Sequence, residues 1–327
     1  MTIYNAHYKD QPAVTLESDV LRVQFLPTIG AKLCSLVYKP LNRELMVQNP
    51  SANYLLQPYD GHYESAECSG FDDMFPTIDT CYYEAYPWQG TKMADHGEVW
   101  SLAWGSKIEN DQLALSTYGV RFPYKLDKQV FFAAPHILRM EYTLTNLSDF
   151  DFQFLWAAHT MINLEDNVEL VLPTGVERVV SCSHSGSMGG YGLEAAWPQF
   201  TQADGSARDL SRLRPISTGK SEKYYVKGAL PEGWCGLKYH ASDFALALSF
   251  PVKTVPYLGV LPNEGGWRGI HNIFLEPATA SFDRPDVARL RGEGSVVRAR
   301  STYAWYLNIS LAEGVGFHSV SEAGEFS

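Results

Sequence analysis

The chain is poor in cysteine, in positive charge and in uninterrupted apolar sequence, and each shortage excludes a class of protein. Its five cysteines, Cys34, Cys68, Cys81, Cys182 and Cys235, are odd in number and form no C-x-x-C pair. That suits reduced thiols rather than a disulfide framework. Lysine and arginine number 26 against 37 aspartates and glutamates, a net charge of −11. Nucleic-acid phosphates would be repelled, so no nucleic-acid partner is expected. No apolar run approaches the roughly 18 residues of a membrane-spanning helix. The opening residues Met1-Thr2-Ile3-Tyr4-Asn5-Ala6-His7-Tyr8-Lys9-Asp10 carry neither a basic segment nor an apolar one, and a cytoplasmic location is expected. Helical spacing is scarce too, with residues 284–292 offering a turn or two at most. No repeat of fixed period, low-complexity tract or linker breaks the sequence, which predicts one domain over 1–327.

Chemical signatures are missing as well. Without H-E-x-x-H, a cysteine cluster or an EF-hand loop, no metal site is expected. Gly186-Ser187-Met188-Gly189-Gly190 fits neither a G-x-S-x-G elbow nor a phosphate-binding loop.

Aromatic residues and turn formers are plentiful. The 19 Tyr, 16 Phe and 8 Trp, with 26 Gly and 18 Pro, suit many short strands joined by tight turns. Residues 20–26 alternate, with Leu21, Val23 and Phe25 on one side and Arg22 and Gln24 on the other, and Lys32–Tyr38 follows. Strands predicted at 98–109 and 112–120 flank Asn110-Asp111, a two-residue hairpin turn. Strands at 125–134 and 137–147 flank Pro135-His136. Later ones are predicted at 236–240, 244–250, 257–261, 270–276 and 299–311. The pattern fades at 49–91 and 181–199, which read as long loops of the kind that usually carry function. The expected architecture is all-β, a large antiparallel β-sandwich.

In the aromatic stretch of residues 150–156, Phe150, Phe152, Phe154 and Trp156 share one face, and His159 is expected at that strand's end. An imidazole exchanges protons near neutral pH; the alternative role for a histidine there is a hydrogen-bonded strand cap. Far downstream, Asn272-Ile273-Phe274-Leu275-Glu276-Pro277 ends another apolar run on a carboxylate. His159 and Glu276 together make an acid and base suited to neutral pH. Asp95-His96-Gly97-Glu98-Val99-Trp100 gathers two carboxylates, an imidazole and an indole, the groups that hold sugar hydroxyls and a sugar's C–H face. A charged turn with Trp100 in the core is the alternative. Asp72 and Asp73 lie among aromatics in Ser69-Gly70-Phe71-Asp72-Asp73-Met74-Phe75-Pro76, either gripping hydroxyls or forming a solvated turn. Asn263-Glu264-Gly265-Gly266-Trp267-Arg268 and His271-Asn272 precede Glu276, and their glycines permit close approach to a ligand. Glycosidase-type carboxylate pairs could be drawn from Asp72, Glu98 and Glu276.

These motifs together resemble the aldose 1-epimerase, or galactose mutarotase, family. The family histidine lies in an Asn-His-Thr-Tyr-Phe-Asn-Leu-like motif, of which Ala158-His159-Thr160-Met161-Ile162-Asn163-Leu164 keeps the histidine, threonine, asparagine and leucine. Ile273-Phe274-Leu275-Glu276 matches the apolar run that ends on the family's glutamate. His96-Gly97 matches a substrate-binding histidine followed by glycine, and the three motifs keep the family's order. The family's sugar-binding Asn-Arg pair has no counterpart upstream of His96, where Gly70-Phe71-Asp72-Asp73-Met74-Phe75-Pro76 stands as in a divergent branch. The resemblance implies a galactose mutarotase-like β-supersandwich that interconverts the α and β anomers of an aldose. Glu276 would take the anomeric proton while protonated His159 donates to the ring oxygen; the ring opens, the C1–C2 bond rotates and closure reverses the roles. Substrate contacts are expected from His96, Asp72, Asp73, Glu98, Trp100, Trp267 and Arg268, with Arg268 or Lys92 available for a phosphate. The resemblance further implies no cofactor, no metal, a small-molecule sugar as partner, no membrane and a monomer or homodimer. A non-catalytic carbohydrate-binding sandwich and a glycosidase or lyase on the same fold are the competing readings.

Overall fold

Antiparallel strands make up most of the regular structure in the computed structural model, which describes residues 1–184, 186–202 and 204–327. The fold is a large antiparallel β-sandwich, as the alternation predicts. Two compact units divide the chain: Met1–Thr160 with Ala278–Tyr306, and Met161–Pro277 with Leu307–Ser327.

In the first unit, one ladder runs Thr2–Tyr8, Gln11–Glu17, Leu21–Leu26, Lys32–Tyr38 and Phe71–Met74, and then reaches the start of Ala157–Asn163. A second ladder runs Gly105–Glu109, Gln112–Tyr118, Tyr124–Ala134 and Ile137–Asn146. Its period is that of a half-buried sheet: Tyr124, Leu126, Val130 and Phe132 point inward while Lys125, Asp127 and Gln129 do not. Lys128 shares the inward parity. Its Nζ reaches across to Asp73 Oδ2 on Phe71–Met74 at 2.9 Å and sits over the Phe25, Phe71 and Tyr142 rings. The two ladders of this unit therefore face each other across a core that the buried Lys128–Asp73 ion pair bridges.

In the second unit, Glu194–Ala196, Arg178–Ser181, Tyr224–Val226, Tyr257–Glu264 and His271–Ala278 form one ladder. Val168–Val171, Trp234–Tyr239 and Phe244–Ser249 form another, completed by the later part of Thr302–Glu313. Trp234, Ala245 and Ala247 pack with Phe317 and Val320 from the C-terminal segment.

Four expectations need correction. The 49–91 stretch is not loop throughout, because it holds the fully buried strand Phe71–Met74. Alternation hides that strand: its two polar residues are carboxylates, each neutralised by a buried lysine. Only Gly105–Glu109 of the 98–109 segment is strand. His96 and Gly97, both at positive φ, turn the chain into a short 3-10 segment, Val99–Ser101. The aromatic strand is short, Phe152–Phe154, and His159 stands inside a separate strand, Ala157–Asn163, rather than at the aromatic strand's end. Between them the ladder breaks, as Leu155 N–H bonds the Pro76 carbonyl and Trp156 N–H bonds Thr279 Oγ1. The Asn110-Asp111 turn appears as expected, both residues at positive φ as a type I′ hairpin requires. Glu194–Ala196 adds a strand within the expected 181–199 loop, in which Ser185 lies outside the described residues.

Candidate active site

His159 is held by its own strand directly opposite Asp72, its register partner on Phe71–Met74. The Asp72 carboxylate accepts from Lys32 Nζ at 2.6 Å and from Tyr63 Oη at 2.8 Å, both on Oδ2. Tyr63 Oη also lies 3.2 Å from His159 Nδ1. Burial first, then the Asp72 charge, pushes the Tyr63 phenol well above its ordinary range, so it stays protonated. Lys32, Asp72, Tyr63 and His159 thus form one buried polar chain.

His96 completes the group. Its ring stacks on Tyr63 at 4.1 Å between centroids with planes 12° apart, and meets His159 edge-on at 5.3 Å. Gly97, at φ 80°, makes this possible, since a side chain there would run into the Phe75 backbone. Asp95 ties the turn down: Oδ1 pairs with His96 Nδ1 at 2.9 Å and Oδ2 accepts the Tyr63 N–H at 2.8 Å. Burial pushes the Asp95 carboxyl up, but the His96 ring and the Tyr63 amide together hold it below its ordinary value. Trp100 is buried, meets Tyr63 at 5.0 Å in a T-shaped contact, and donates its indole N–H to the Asp95 carbonyl. A cavity of about 50 Å³, lined in part by Lys32, Tyr63, Glu67, Asp72 and Trp100, adjoins this group. That is room for water but not for a sugar.

The other expected residues of the first unit serve the fold. Glu98 is fully buried and takes four donors: Tyr59 Oη and the Arg121 N–H on Oε1, Tyr124 Oη and the Val120 N–H on Oε2. Four donors fill a carboxylate's acceptor sites. Asp73 is held by Lys128 and by Trp156 Nε1 at 2.9 Å.

In the second unit, Glu276 lies on His271–Ala278 with no solvent exposure and pairs with Lys223 Nζ at 2.6 Å. Gly259, on Tyr257–Glu264, leaves the carboxylate its space: a Cβ there would lie 3.0 Å from Glu276 Oε2 and 3.1 Å from Tyr225 Cζ. Trp267 and Arg268 sit in the turn joining Tyr257–Glu264 to His271–Ala278. Asn263 clamps that turn, accepting the Trp267 N–H at 2.8 Å and donating to its carbonyl and to Asn272 Oδ1. The exposed Arg268 guanidinium stacks over the half-buried Trp267 ring at 4.8 Å. A cavity of about 380 Å³, bordered by Ser187, Gln202, Arg214, Lys220 and Glu222 among others, has the size and polarity for a small hydroxylated molecule.

The structure therefore groups Asp72, His96, Trp100 and His159 in the first unit, with Asp73 and Glu98 in neighbouring buried sites. Glu276, Trp267 and Arg268 belong to the second. Sequence reasoning misses Lys32, Tyr63, Lys223 and Gly259. Gly259, a glycine inside a strand, carries a readable sign of close approach. Tyr63 lies where the strand pattern fades, and no local signal marks it. Among the described residues no helix is long and apolar enough to cross a membrane, and no cluster of three or more His, Cys, Asp or Glu could hold a metal ion.

No family model and no curated protein matches the chain. Solved structures do. A galactose mutarotase-like protein from Lactobacillus casei ATCC 334 matches with a TM-score of 0.63 at 16% identity, over 92% of this chain and 100% of that one. A galactose mutarotase-like protein from Clostridium acetobutylicum matches with a TM-score of 0.64 at 11% identity, over 96% and 99%. A protein from Synechocystis sp. PCC 6803, Slr1438, matches with a TM-score of 0.67 at 14% identity, over 95% and 99%. Structural matches of this extent show the galactose mutarotase-like fold, and fold alone does not fix chemistry.

Proposed function

We propose that this chain is an aldose 1-epimerase, with His159 as the proton donor to the ring oxygen and Glu276 as the acceptor of the anomeric proton. The observation that carries this reading is the setting of His159. It is a titratable ring fixed on three sides by Tyr63, His96 and the Asp72 chain, on a fold shared with mutarotase-like proteins. An imidazole of ordinary chemistry can give and regain a proton near neutral pH, as a reversible ring opening demands. Glu276 supports the complementary role, because it is a buried carboxylate with an ammonium partner, Lys223, 2.6 Å away. Ring opening at C1 then needs one proton moved onto the ring oxygen and one moved off the anomeric hydroxyl, and reclosure returns both. His96, exposed in part beside His159, and Trp267 with Arg268 are the proposed sugar contacts.

The test is anomer interconversion of freshly dissolved α-glucose, α-galactose and hexose phosphates, followed by NMR or polarimetry with wild type, His159→Ala and Glu276→Gln. Acceleration by wild type that both substitutions abolish is the expected result. Full activity in either variant refutes the assigned role. The Lys223–Glu276 pair also favours a second reading, a sugar-binding sandwich without catalysis, because a paired carboxylate is a weaker base. Saturable sugar binding with no acceleration would establish that reading instead.

A further inference from the structure

We infer that Tyr63 is a positioning residue that fixes the tautomer of His159, keeping a proton on Nδ1 so that Nε2 is the nitrogen that exchanges protons with the sugar. The inference rests on the epimerase reading for its consequence, but not for its geometry. A phenol has one hydrogen to give. The Asp72 carboxylate, 2.8 Å away, is the stronger acceptor and takes it. Tyr63 Oη can then meet His159 Nδ1, 3.2 Å away, only as an acceptor, which places the Nδ1 proton on the histidine. Lys32, its ammonium almost fully buried, donates to the same carboxylate oxygen from 2.6 Å and so holds that oxygen in place as the acceptor of the phenol's hydrogen.

The phenol cannot easily turn away. Tyr63 stacks on His96, meets Trp100 edge to face, and has its backbone N–H held by Asp95. The His159 ring is held in turn, with the Tyr63 and His96 rings both near perpendicular to it at 5.2 and 5.3 Å. In a reversible reaction the same nitrogen must give a proton in one direction and take it back in the other. A ring free to exchange tautomers would spend part of its time with the lone pair on the wrong nitrogen.

The experiment uses full-length protein labelled with ¹⁵N-histidine, with His159 assigned among the nine histidines by its loss in His159→Gln. Imidazole ¹⁵N shifts are read at a pH where the ring is neutral. Wild type is expected to show Nδ1 protonated. Tyr63→Phe is expected to give a mixed tautomer signature and a kcat lower by about tenfold or more, with KM within about twofold. Tyr83→Phe, which loses a different buried hydroxyl in the same unit, bonded to the Gln153 N–H, should leave the His159 pattern unchanged. A wild-type ring protonated on Nε2 overturns the inference, and needs no variant to fold. So does a folded Tyr63→Phe with an unaltered His159 pattern. Absence of mutarotation in wild type would instead remove the epimerase reading while leaving the tautomer assignment standing on its shifts.

Discussion

Replacing Lys128 with methionine keeps most of the side chain's length and removes its cation from the centre of the first unit. Neither Lys128 nor Asp73 has any side-chain exposure, so no water can take over the lost interaction. Asp73 would keep the Trp156 indole N–H at 2.9 Å but lose its counter-charge, and the ammonium's place over Phe25, Phe71 and Tyr142 would be filled by a thioether. Breaking a buried pair by removing one partner costs about 3–5 kcal/mol, most of it from the stranded charge. With a urea slope of about 3 kcal/mol per M, the unfolding midpoint should fall by roughly 1–1.7 M. Neutralising the second partner as well, in Lys128→Met with Asp73→Asn, should recover a large part of that loss, because a carboxamide costs far less to bury than a carboxylate. Urea titrations of wild type, both single variants and the double variant, followed by tryptophan fluorescence, close the cycle. A Lys128→Met midpoint within about 0.3 M of wild type, or a double variant no more stable than Lys128→Met, would refute the reasoning.

Two further outcomes are expected. Gly97→Ala would force a Cβ into the Phe75 carbonyl at a positive φ, which should cost about 1–3 kcal/mol in urea unfolding and displace the His96 ring from Tyr63; wild-type stability would refute the backbone argument. The Asp95 carboxyl titrates below its ordinary 3.8 in the folded protein, burial raising it but His96 and the Tyr63 amide lowering it further, so its stabilisation is present above that value and lost as pH falls through the lowered one. The stability difference between wild type and Asp95→Asn should accordingly be constant near neutrality and shrink only below about pH 4, and a difference unchanged down to pH 2 would contradict it.

Sequence made the all-β architecture legible wherever one face of a strand meets solvent and the other the core. Leu21–Leu26, with Leu21, Val23 and Phe25 buried and Arg22 and Gln24 not, is read from its alternation, and the Asn110-Asp111 turn from its residue types. It was silent where both faces are buried and polar residues are neutralised by distant partners. Asp72 and Asp73 look like a solvated turn until Lys32 and Lys128 are seen, and nothing in a linear pattern joins those positions. The same limit applies to the candidate site. His159, His96 and Glu276 are recognisable because each sits in a local motif, whereas Tyr63 acquires meaning only from the stacking and hydrogen bonds that folding creates. Glu98 shows the converse, a carboxylate in a promising motif whose oxygens are filled by the protein's own donors.

The neighbouring carboxylates on Phe71–Met74 also bear on how such a centre can be moved or altered. One backbone step separates a side chain that seals the interior from a side chain that steers an imidazole, since consecutive residues of a strand project to opposite faces. Sliding this strand by one residue would leave only one aspartate opposite a lysine: with Asp72 in the place of Asp73 beside Lys128, Phe71 would face Lys32, stranding a buried cation and a carboxylate, so the paired charges fix the register. The aromatic neighbours, which also differ between the two faces, would mark the same error a second time. Anyone transplanting the histidine centre into another scaffold would therefore have to carry both lysines and both sets of rings, treating the strand as a two-sided cassette rather than a single functional edge.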